Sequence, residues 1–246
     1  MGKLIQSWWL RGLLLTAVVV SVFGASYDPN PLPDFAQYQD VRQKKTAFFD
    51  YMLPIVNEAN EQLLADRNQL EQLAAETVAP FSGSQIRTLN RFAEIYGLDA
   101  QADSALLLEQ LLLRVDLIPA SLALAQAAIE SGWGTSRFAV QGNNLFGQWC
   151  YKKGCGMVPL RRNSGSSHEV AKFSDVSAAV SAYMSNINSH RAYAGLRTQR
   201  DNLRRAGQPV TGHKLAENLL HYSELREVYV HEVQAVIRIN QLARFD

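Results

Sequence analysis

The chain has 246 residues, of which 47% are hydrophobic and 19% are charged, and its formal net charge at pH 7 is +1. This composition excludes a disordered chain and suffices for one large domain, or for a smaller domain with an appendage. Residues 26–130 carry 7 Lys and Arg against 15 Asp and Glu, whereas residues 131–246 carry 15 against 8. The basic second half is compatible with a polyanionic partner, either nucleic acid or an anionic envelope polymer, and equally with a solvated surface.

Residues 1–25 have the pattern of an export signal. Lys3 and Arg11 precede the apolar run LLLTAVVVSVFGA, and small residues follow at 24–26. The run is short for a transmembrane helix and has the length of a signal segment. We therefore expect an exported protein of the periplasm or cell envelope. An uncleaved inner-membrane tether is the alternative, because IQSWWL extends the apolar stretch backwards.

A Pro-rich segment and a long helical region follow. Residues 26–39 contain YDPNPLPDF, which predicts an extended linker. Residues 40–114 are predicted to be a helical accessory region. Its first part repeats apolar residues at steps of three and four around Pro54, which predicts one amphipathic helix or a helix pair kinked or broken at the proline. Two shorter helices are expected near 84–96 and 103–114.

The second domain, residues 115–246, begins with a helix that ends in an acid. Pro119 suits the start of this helix, and Gly132 is positioned as its C-terminal cap. Glu130 then lies in the last turn, where the helix carbonyl groups disfavour an ionised carboxylate, and its helix neighbours at 123, 126 and 127 include no cation. We expect a raised pKa for Glu130, which would let it give a proton to a leaving oxygen in glycosidic bond cleavage. A solvated surface Glu is the alternative.

The residues around Glu130 carry a specific motif. The stretch AQAAIESGWGTSRFAVQGNNLFGQW combines E-S-x-W-G with N-x-F-G. It closely resembles the glucosaminidase domain of glycoside hydrolase family 73, a family of bacterial peptidoglycan hydrolases, and the chain looks most like the Bax-type members. The resemblance covers residues 115–242. It implies an α+β, mostly α, lysozyme-like fold with a helical lobe, a small β-lobe and a glycan cleft between them, with Glu130 as the general acid and no metal or other cofactor.

Residues 145–173 predict a small antiparallel lobe of three short strands, in LFGQWC, GMVPLRR and HEVAKF. Cys150 and Cys155 flank the turn-like YKKG, across which a hairpin could bring them into bridging distance. In an oxidising compartment this predicts a local disulfide. A metal site is the alternative, although only His168 lies nearby and a structural zinc site needs four ligands.

Glu169 is the candidate for the second catalytic carboxylate. It is the only acidic residue between Ser131 and Ser174, and it lies in the predicted strand HEVAKF. A solvated strand Glu is the alternative. If Glu169 is the base, its separation from Glu130 decides between an inverting and a retaining route. Relatives of the resembled family can also use the acetamido group of the substrate.

The resemblance further implies a functional tyrosine in the last helices. Within YSELREVYVHEV the best match is Tyr229, and Tyr222 is the second choice. Tyr229 precedes Val233 and Ile237 by four and eight residues, so a core tyrosine with an internally bonded hydroxyl group is the alternative.

Residues near the two motifs are expected to line the cleft and bind the sugar. An aromatic ring matches the apolar face of a pyranose, and amide groups match its N-acetyl and hydroxyl groups. The candidates are Ser131, Trp133, Asn143, Asn144, Phe146, Gln148 and Tyr222. Phe146 fits a core position equally well, and the two asparagines fit a turn.

The sequence therefore predicts an exported endo-β-N-acetylglucosaminidase that cleaves the glycan strands of peptidoglycan. A lytic transglycosylase of the same fold, which needs only one acid, and a non-catalytic glycan-binding scaffold are the alternatives. Nucleic acid is not an expected partner. Arg197, Arg200, Arg204 and Arg205 could share a helix face, but no aromatic stacking platform accompanies them and export argues against it.

Overall fold

A computed structural model of the chain describes residues 30–76, 80–160 and 168–246. The predicted export segment lies outside these residues. The described part contains the following helices: α1 (Val41–Glu76), α2 (Gly83–Tyr96), α3 (Ser104–Arg114), α4 (Ala120–Ser131), α5 (Arg137–Gly142), α6 (Val176–Ser189), α7 (Ala194–Arg205), α8 (Gly212–Leu215) and α9 (Glu227–Ile239). Within the described ranges, no helix has both the length and the apolar character needed to cross a membrane.

Helix α1 is continuous through Pro54 for 36 residues, so the predicted break into a helix pair is wrong. Proline removes the N–H group that would bond to the carbonyl of Asp50. Both residues are exposed, so that water can satisfy this carbonyl, while the buried side chains of Met52 and Ile55 hold the helix to its neighbours.

The apolar side chains form two separate cores, and α1 contributes to both. Its first half supplies Phe48, Phe49 and Met52 to the larger core, which includes α4, α6 and α9. Its second half supplies Leu70 and Leu73 to a smaller core with α2 and α3. The domain boundary predicted at residue 115 stays a prediction. The division between the two apolar cores runs through α1.

Residues 35–37 do not form the extended linker that the prolines predicted. They fold into a 3-10 helix, and the side chain of Asp34 accepts a hydrogen bond from the N–H group of Ala36 at 2.9 Å. Phe35 is fully buried against Phe48, with 5.4 Å between the ring centroids. Burial of this one aromatic ring outweighs the preference of the prolines for an extended chain.

Helix α4 runs through the middle of the larger core. Every residue from Ala120 to Ala128 is buried, so this part of the helix has no exposed face. Its alanines allow α1, α8 and α9 to pack closely against it. Pro119 is the residue before the first helical turn rather than the first helical residue.

A three-stranded antiparallel sheet forms the predicted small lobe. Its strands are β1 (Trp149–Cys150), β2 (Gly156–Met157) and β3 (Glu169–Ala171), in the order β1-β3-β2. The register pairs Trp149 with Val170 and Gly156 with Ala171. The predicted fold class is confirmed: mostly α, lysozyme-like, with a small antiparallel lobe and a helical N-terminal region.

Three of the four arginines that could have formed a nucleic-acid surface make internal contacts instead, whereas Arg205 is exposed and pairs with Asp201. Arg200 is 1% exposed and lies 3.5 Å from the buried carboxylate of Asp116. Arg204 pairs with the same carboxylate through two hydrogen bonds, and Arg67 of α1 approaches it at 3.4 Å. Arg197 is also buried and donates to the carbonyl groups of residues 187 and 190. This cluster joins α1, α7 and the segment before α4.

Candidate active site

The E-S-G-W-G motif forms a tight turn that ends α4 immediately after Glu130. Gly132, Trp133 and Gly134 all have left-handed backbone conformations, with φ of 57°, 60° and 75°. The buried hydroxyl group of Ser131 donates to the carbonyl of Ala127 at 2.5 Å and accepts from the N–H group of Gly134 at 2.7 Å. Ser131 therefore holds this turn, and the two glycines supply the conformations that it requires.

Glu130 is half-buried where the two motifs of the sequence meet. The backbone of Gly147, from N-x-F-G, lies against its carboxylate: a β-carbon added to Gly147 would stand 3.1 Å from Oε2. On another side, the hydroxyl group of Tyr229 in α9 is close enough to the carboxylate to act on its pKa as a hydrogen-bond donor. Segments far apart in the chain thus enclose this one acid.

The pKa of Glu130 is raised above the usual value for a glutamic acid. Burial is the largest cause, since it penalises the ionised form. The hydrogen bond from Tyr229 acts in the opposite direction, and the negative charge of Glu232 adds to the rise. The sequence predicted the direction correctly, but burial rather than the helix end is the main cause.

Four tyrosines surround Glu130, and only two of them were predicted to matter. Burial, with the charge of Glu130 as a further cause, raises the pKa of Tyr193 to about 12 and the pKa values of Tyr183, Tyr222 and Tyr229 further above the usual range. All four therefore carry neutral hydroxyl groups. Tyr183 and Tyr193 were missed because the apolar periodicity of their segment is that of a core helix.

Gln126 joins two of these tyrosines one turn before Glu130. Its amide group is fully buried, accepts from the hydroxyl group of Tyr183 at 2.7 Å and donates to the hydroxyl group of Tyr229 at 3.0 Å. Tyr222 stacks on Tyr229 with 5.5 Å between the centroids and 2° between the planes. The predicted Tyr229 is thus a neighbour of Glu130 and also a core residue.

The N-x-F-G segment is held by its own side chains. Asn144 is 1% exposed, and its amide donates to the carbonyl groups of Gln148 and Ala171 at 2.8 and 2.9 Å. Its oxygen accepts from the N–H groups of Phe146 and Gln148 at 3.3 and 3.1 Å. Asn144 therefore shapes the loop that brings Gly147 to Glu130.

The geometry and the sequence comparisons lead to the same family. The profile of the glucosaminidase family, described as mannosyl-glycoprotein endo-beta-N-acetylglucosaminidase, matches residues 107–242. Protein bax of Escherichia coli (strain K12) is 34% identical over 211 residues, which cover 85% of this chain and 74% of that protein. The chain belongs to the glucosaminidase family. No solved structure matches it.

Most of the residues expected to bind sugar make internal contacts that support the site. Phe146 is 1% exposed and stacks on Tyr183 with 4.1 Å between the centroids. Asn143 donates to the carbonyl groups of residues 173 and 174, and Gln148 donates to the carbonyl of Ala179. Tyr222 donates to the carbonyl of Phe146 at 2.9 Å. These contacts match the core and turn alternatives, and direct sugar contact stays a prediction.

Trp133 belongs to the junction with α1. Its ring meets Phe48 and Phe49 edge to face, with centroid distances of 5.8 and 5.4 Å, and Nζ of Lys45 lies 4.7 Å from its centroid. By contrast, Trp149 at the start of β1 is 55% exposed and stacks on His168 with 4.1 Å between the centroids. The sequence singled out the first tryptophan, whereas the second presents more surface to solvent.

The predicted disulfide between Cys150 and Cys155 is confirmed. Glu169 is 6% exposed, and its carboxylate accepts from the N–H groups of Gly154 and Gly156 at 3.0 and 2.9 Å. Both oxygens of Glu169 thus bind the backbone of the disulfide loop. Its role as a catalytic base stays a prediction, and the alternative of a solvated strand residue is wrong because the side chain is buried.

A cavity of about 360 Å³ lies near the other end of α4 and contains none of these residues. Several of its polar lining residues are engaged in structural contacts. Asn60 exchanges hydrogen bonds with the backbone of Ile118, Arg204 pairs with Asp116, and Asp246 accepts from Ser121. The surroundings of Glu130 are therefore the better candidate site.

Proposed function

We propose that this protein is an exported endo-β-N-acetylglucosaminidase that hydrolyses the glycan strands of peptidoglycan in the periplasm or cell envelope. The observation that carries the proposal is the position of Glu130, a half-buried carboxyl group between Gly147 and Tyr229 at the start of the E-S-G-W-G motif. Family membership supports a glycoside hydrolase in general. The residue pattern at 1–25 supports export. If this segment is not cleaved, it would tether the exported protein to the inner membrane.

Glu130 acts as the general acid. Its raised pKa keeps a larger fraction of the side chain protonated towards neutral pH, so that it can protonate the departing glycosidic oxygen. After proton transfer, the hydroxyl group of Tyr229 donates to the carboxylate that forms. The acid is thus weak enough to hold its proton before cleavage and is stabilised after it.

A second group must activate the attacking water or stabilise the transition state. The contacts of Glu169 favour a structural role, because turning its carboxylate towards a sugar would leave two backbone N–H groups of the disulfide loop without their acceptor. Tyr229, or the acetamido group of the substrate, is then the candidate for stabilising the positively charged transition state.

The structural contacts of Glu169 also favour a second candidate function, a lytic transglycosylase. That reaction needs one acid and no positioned water. It leaves an anhydro-sugar end instead of a reducing end. A non-catalytic glycan-binding scaffold is the third possibility, and only activity separates it from the other two.

Mass spectrometry of purified peptidoglycan after incubation with the full chain tests the proposal. We expect new reducing N-acetylglucosamine ends with wild type and with a Glu227→Gln control, and none with Glu130→Gln. Anhydro ends that depend on Glu130 would make the protein a transglycosylase. Release that persists in Glu130→Gln would refute the mechanism, and no release by wild type with wall binding retained would favour the scaffold.

A further inference from the structure

The direction of the hydrogen bonds around Gln126 bears on the state of Glu130. Oε1 of Gln126 has no hydrogen, so Tyr183 donates in the 2.7 Å contact between them. The amide nitrogen is then turned towards Tyr229 and donates to its oxygen at 3.0 Å. Gln126 and Tyr183 are fully buried, and Tyr229 is 2% exposed, so water is excluded as a substitute partner.

This order of donors leaves one hydrogen available where the acid lies. Because the oxygen of Tyr229 accepts from Gln126, the hydrogen of Tyr229 is free to point at the carboxylate of Glu130. A reversed amide would present Oε1 to Tyr229 and draw that hydrogen away from Glu130. The orientation of one buried amide thus selects between two hydrogen-bond patterns at the acid.

We propose that Gln126 is a positioning residue whose amide, oriented by the hydroxyl group of Tyr183, turns the hydroxyl hydrogen of Tyr229 towards Glu130. The order of the hydrogen bonds from Tyr183 through Gln126 to Tyr229 does not depend on the proposed function. Their importance for catalysis rests on the proposed role of Glu130. Gln126 and Tyr183 therefore act on the acid through Tyr229 and touch no substrate.

The titratable groups that interact with Glu130, either by shifting its pKa or by responding to its charge, come from several elements. They are Tyr183 of α6, Tyr193 before α7, Tyr222 before α9, and Tyr229 and Glu232 of α9. A test must separate an effect passed through Tyr229 from an effect that any one of these groups exerts directly. A double-mutant cycle makes this separation.

The experiment measures the Glu130 pKa by NMR titration of its side-chain carboxyl carbon in the full chain, with Glu130→Gln for assignment. We expect Tyr183→Phe to raise this pKa by about one unit, as Tyr229→Phe does, since each removes the donated hydrogen bond. In the Tyr229→Phe background, Tyr183→Phe should add almost nothing. Tyr193→Phe removes a nearby hydroxyl group that does not belong to this series of hydrogen bonds, and it should shift the pKa of Glu130 less.

An unchanged pKa in folded Tyr183→Phe, or an equal shift with and without Tyr229, would overturn the proposal. In an active enzyme, the basic limb of kcat/KM should move to higher pH by the same amount as the pKa. Because the NMR titration needs no turnover, failure of the proposed glucosaminidase activity would leave the hydrogen-bond test intact.

A second, independent observation concerns Trp149. One face of its ring lies on His168, with 9° between the planes, while 55% of the residue remains exposed. The neighbouring Cys150 is tied to Cys155, and Glu169 holds the enclosed loop, so the strand that carries Trp149 has a rigid support. A fixed, half-exposed aromatic plane is suited to stacking on a flat apolar ring.

Trp149 is also close to the acid along the chain. It follows Gly147, whose backbone lies against Glu130, by two residues, which span about 7 Å at most. A glycan strand that is cleaved at Glu130 therefore passes within reach of the Trp149 ring. We infer that Trp149 provides a stacking subsite for a pyranose ring of the glycan next to the bond that is cleaved, an inference that rests on the proposed function.

Calorimetric titration of the full-length Glu130→Gln chain with soluble N-acetylglucosamine and N-acetylmuramic acid oligosaccharides tests the subsite. We expect the added Trp149→Ala change to weaken binding about tenfold and Trp149→Phe to retain most of it. The control is Ile95→Ala, which removes an apolar side chain of similar exposure, 56%, on α2. Equal binding with and without Trp149 overturns this inference alone, whereas no binding by Glu130→Gln itself overturns the proposed function as well.

Discussion

The backbone of Gly147 closes over the carboxylate of Glu130, so closely that a β-carbon at position 147 would stand 3.1 Å from Oε2. Gly147 also has a left-handed backbone, with φ of 64°. The two motifs of the family thus meet in one contact, and the glycine is required both for its conformation and for the space that it leaves.

We expect Gly147→Ala to lower both stability and activity. The left-handed backbone should cost about 1–2 kcal/mol of unfolding free energy, and the added methyl group should displace the carboxylate and lower kcat/KM at least about tenfold. Gly97→Ala is the matched control, because Gly97 has φ of 63° and nothing within 4 Å of its added β-carbon. Urea unfolding and wall-clearing assays should show similar instability in both variants but an activity loss only at 147.

Glu130→Gln should stabilise the protein at neutral pH. Since burial raises the pKa of Glu130 in the folded state, the folded chain binds more protons than the unfolded chain between the two pKa values. The wild type therefore loses stability as pH rises from the unfolded value, about 4.3, through the folded value, and the variant does not.

Thermal unfolding of both proteins between pH 3 and pH 8 measures this difference. The gain of Glu130→Gln should grow as the pH rises above the unfolded value of about 4.3 and should disappear below about pH 4. Glu58→Gln, an exposed change on α1, provides the control. A gain that is constant across the pH range would contradict the assignment to ionisation of Glu130.

Glu169→Gln should reduce stability more than it reduces catalysis. The new amide would place N–H donors against the N–H group of Gly154 or Gly156, at a cost of about 1–3 kcal/mol. We expect the folded variant to retain kcat within about tenfold of wild type, whereas loss of a general acid or base typically costs about 10²–10⁴. A fall in kcat as large as that of Glu130→Gln, at unchanged stability, would restore Glu169 as the catalytic base.

Asp116→Asn should be strongly destabilising although Asp116 lies outside the site. Its carboxylate faces Arg67, Arg200 and Arg204, and neutralising it leaves the fully buried guanidinium of Arg200 without its counter-ion. A loss of about 3–5 kcal/mol is expected in urea unfolding. Asp201→Asn, which breaks a more exposed pair with Arg205, should cost less than about 1 kcal/mol.

Local signals in the sequence predicted the helices and the small sheet well. The two shorter helices, Gly83–Tyr96 and Ser104–Arg114, lie within one residue of their predicted bounds, and the three strands lie in the predicted runs. The disulfide was predictable because Cys150 and Cys155 are near neighbours in the chain. These features depend on residues within a few positions of one another, where propensities and spacing decide the structure.

Long-range packing decided the features that were not predictable. The burial of Phe35 depends on α1, and the contacts of Trp133 depend on Phe48 and Phe49 of the same helix. The hydrogen bond from Tyr183 to Gln126 joins α6 to α4 across 57 residues. No periodicity in the sequence reveals which polar atoms will face each other inside a core.

The participation of α1 in two cores has a mechanical consequence. An unbroken helix of 36 residues is about 54 Å long, and its two halves are clamped by different sets of apolar side chains. The region of α2 and α3 is therefore connected to the larger core by a stiff helix instead of a flexible tether. A force applied at α2 and α3 would be transmitted along α1 to Phe48 and Phe49. These two rings pack against Trp133, which lies in the turn that follows Glu130.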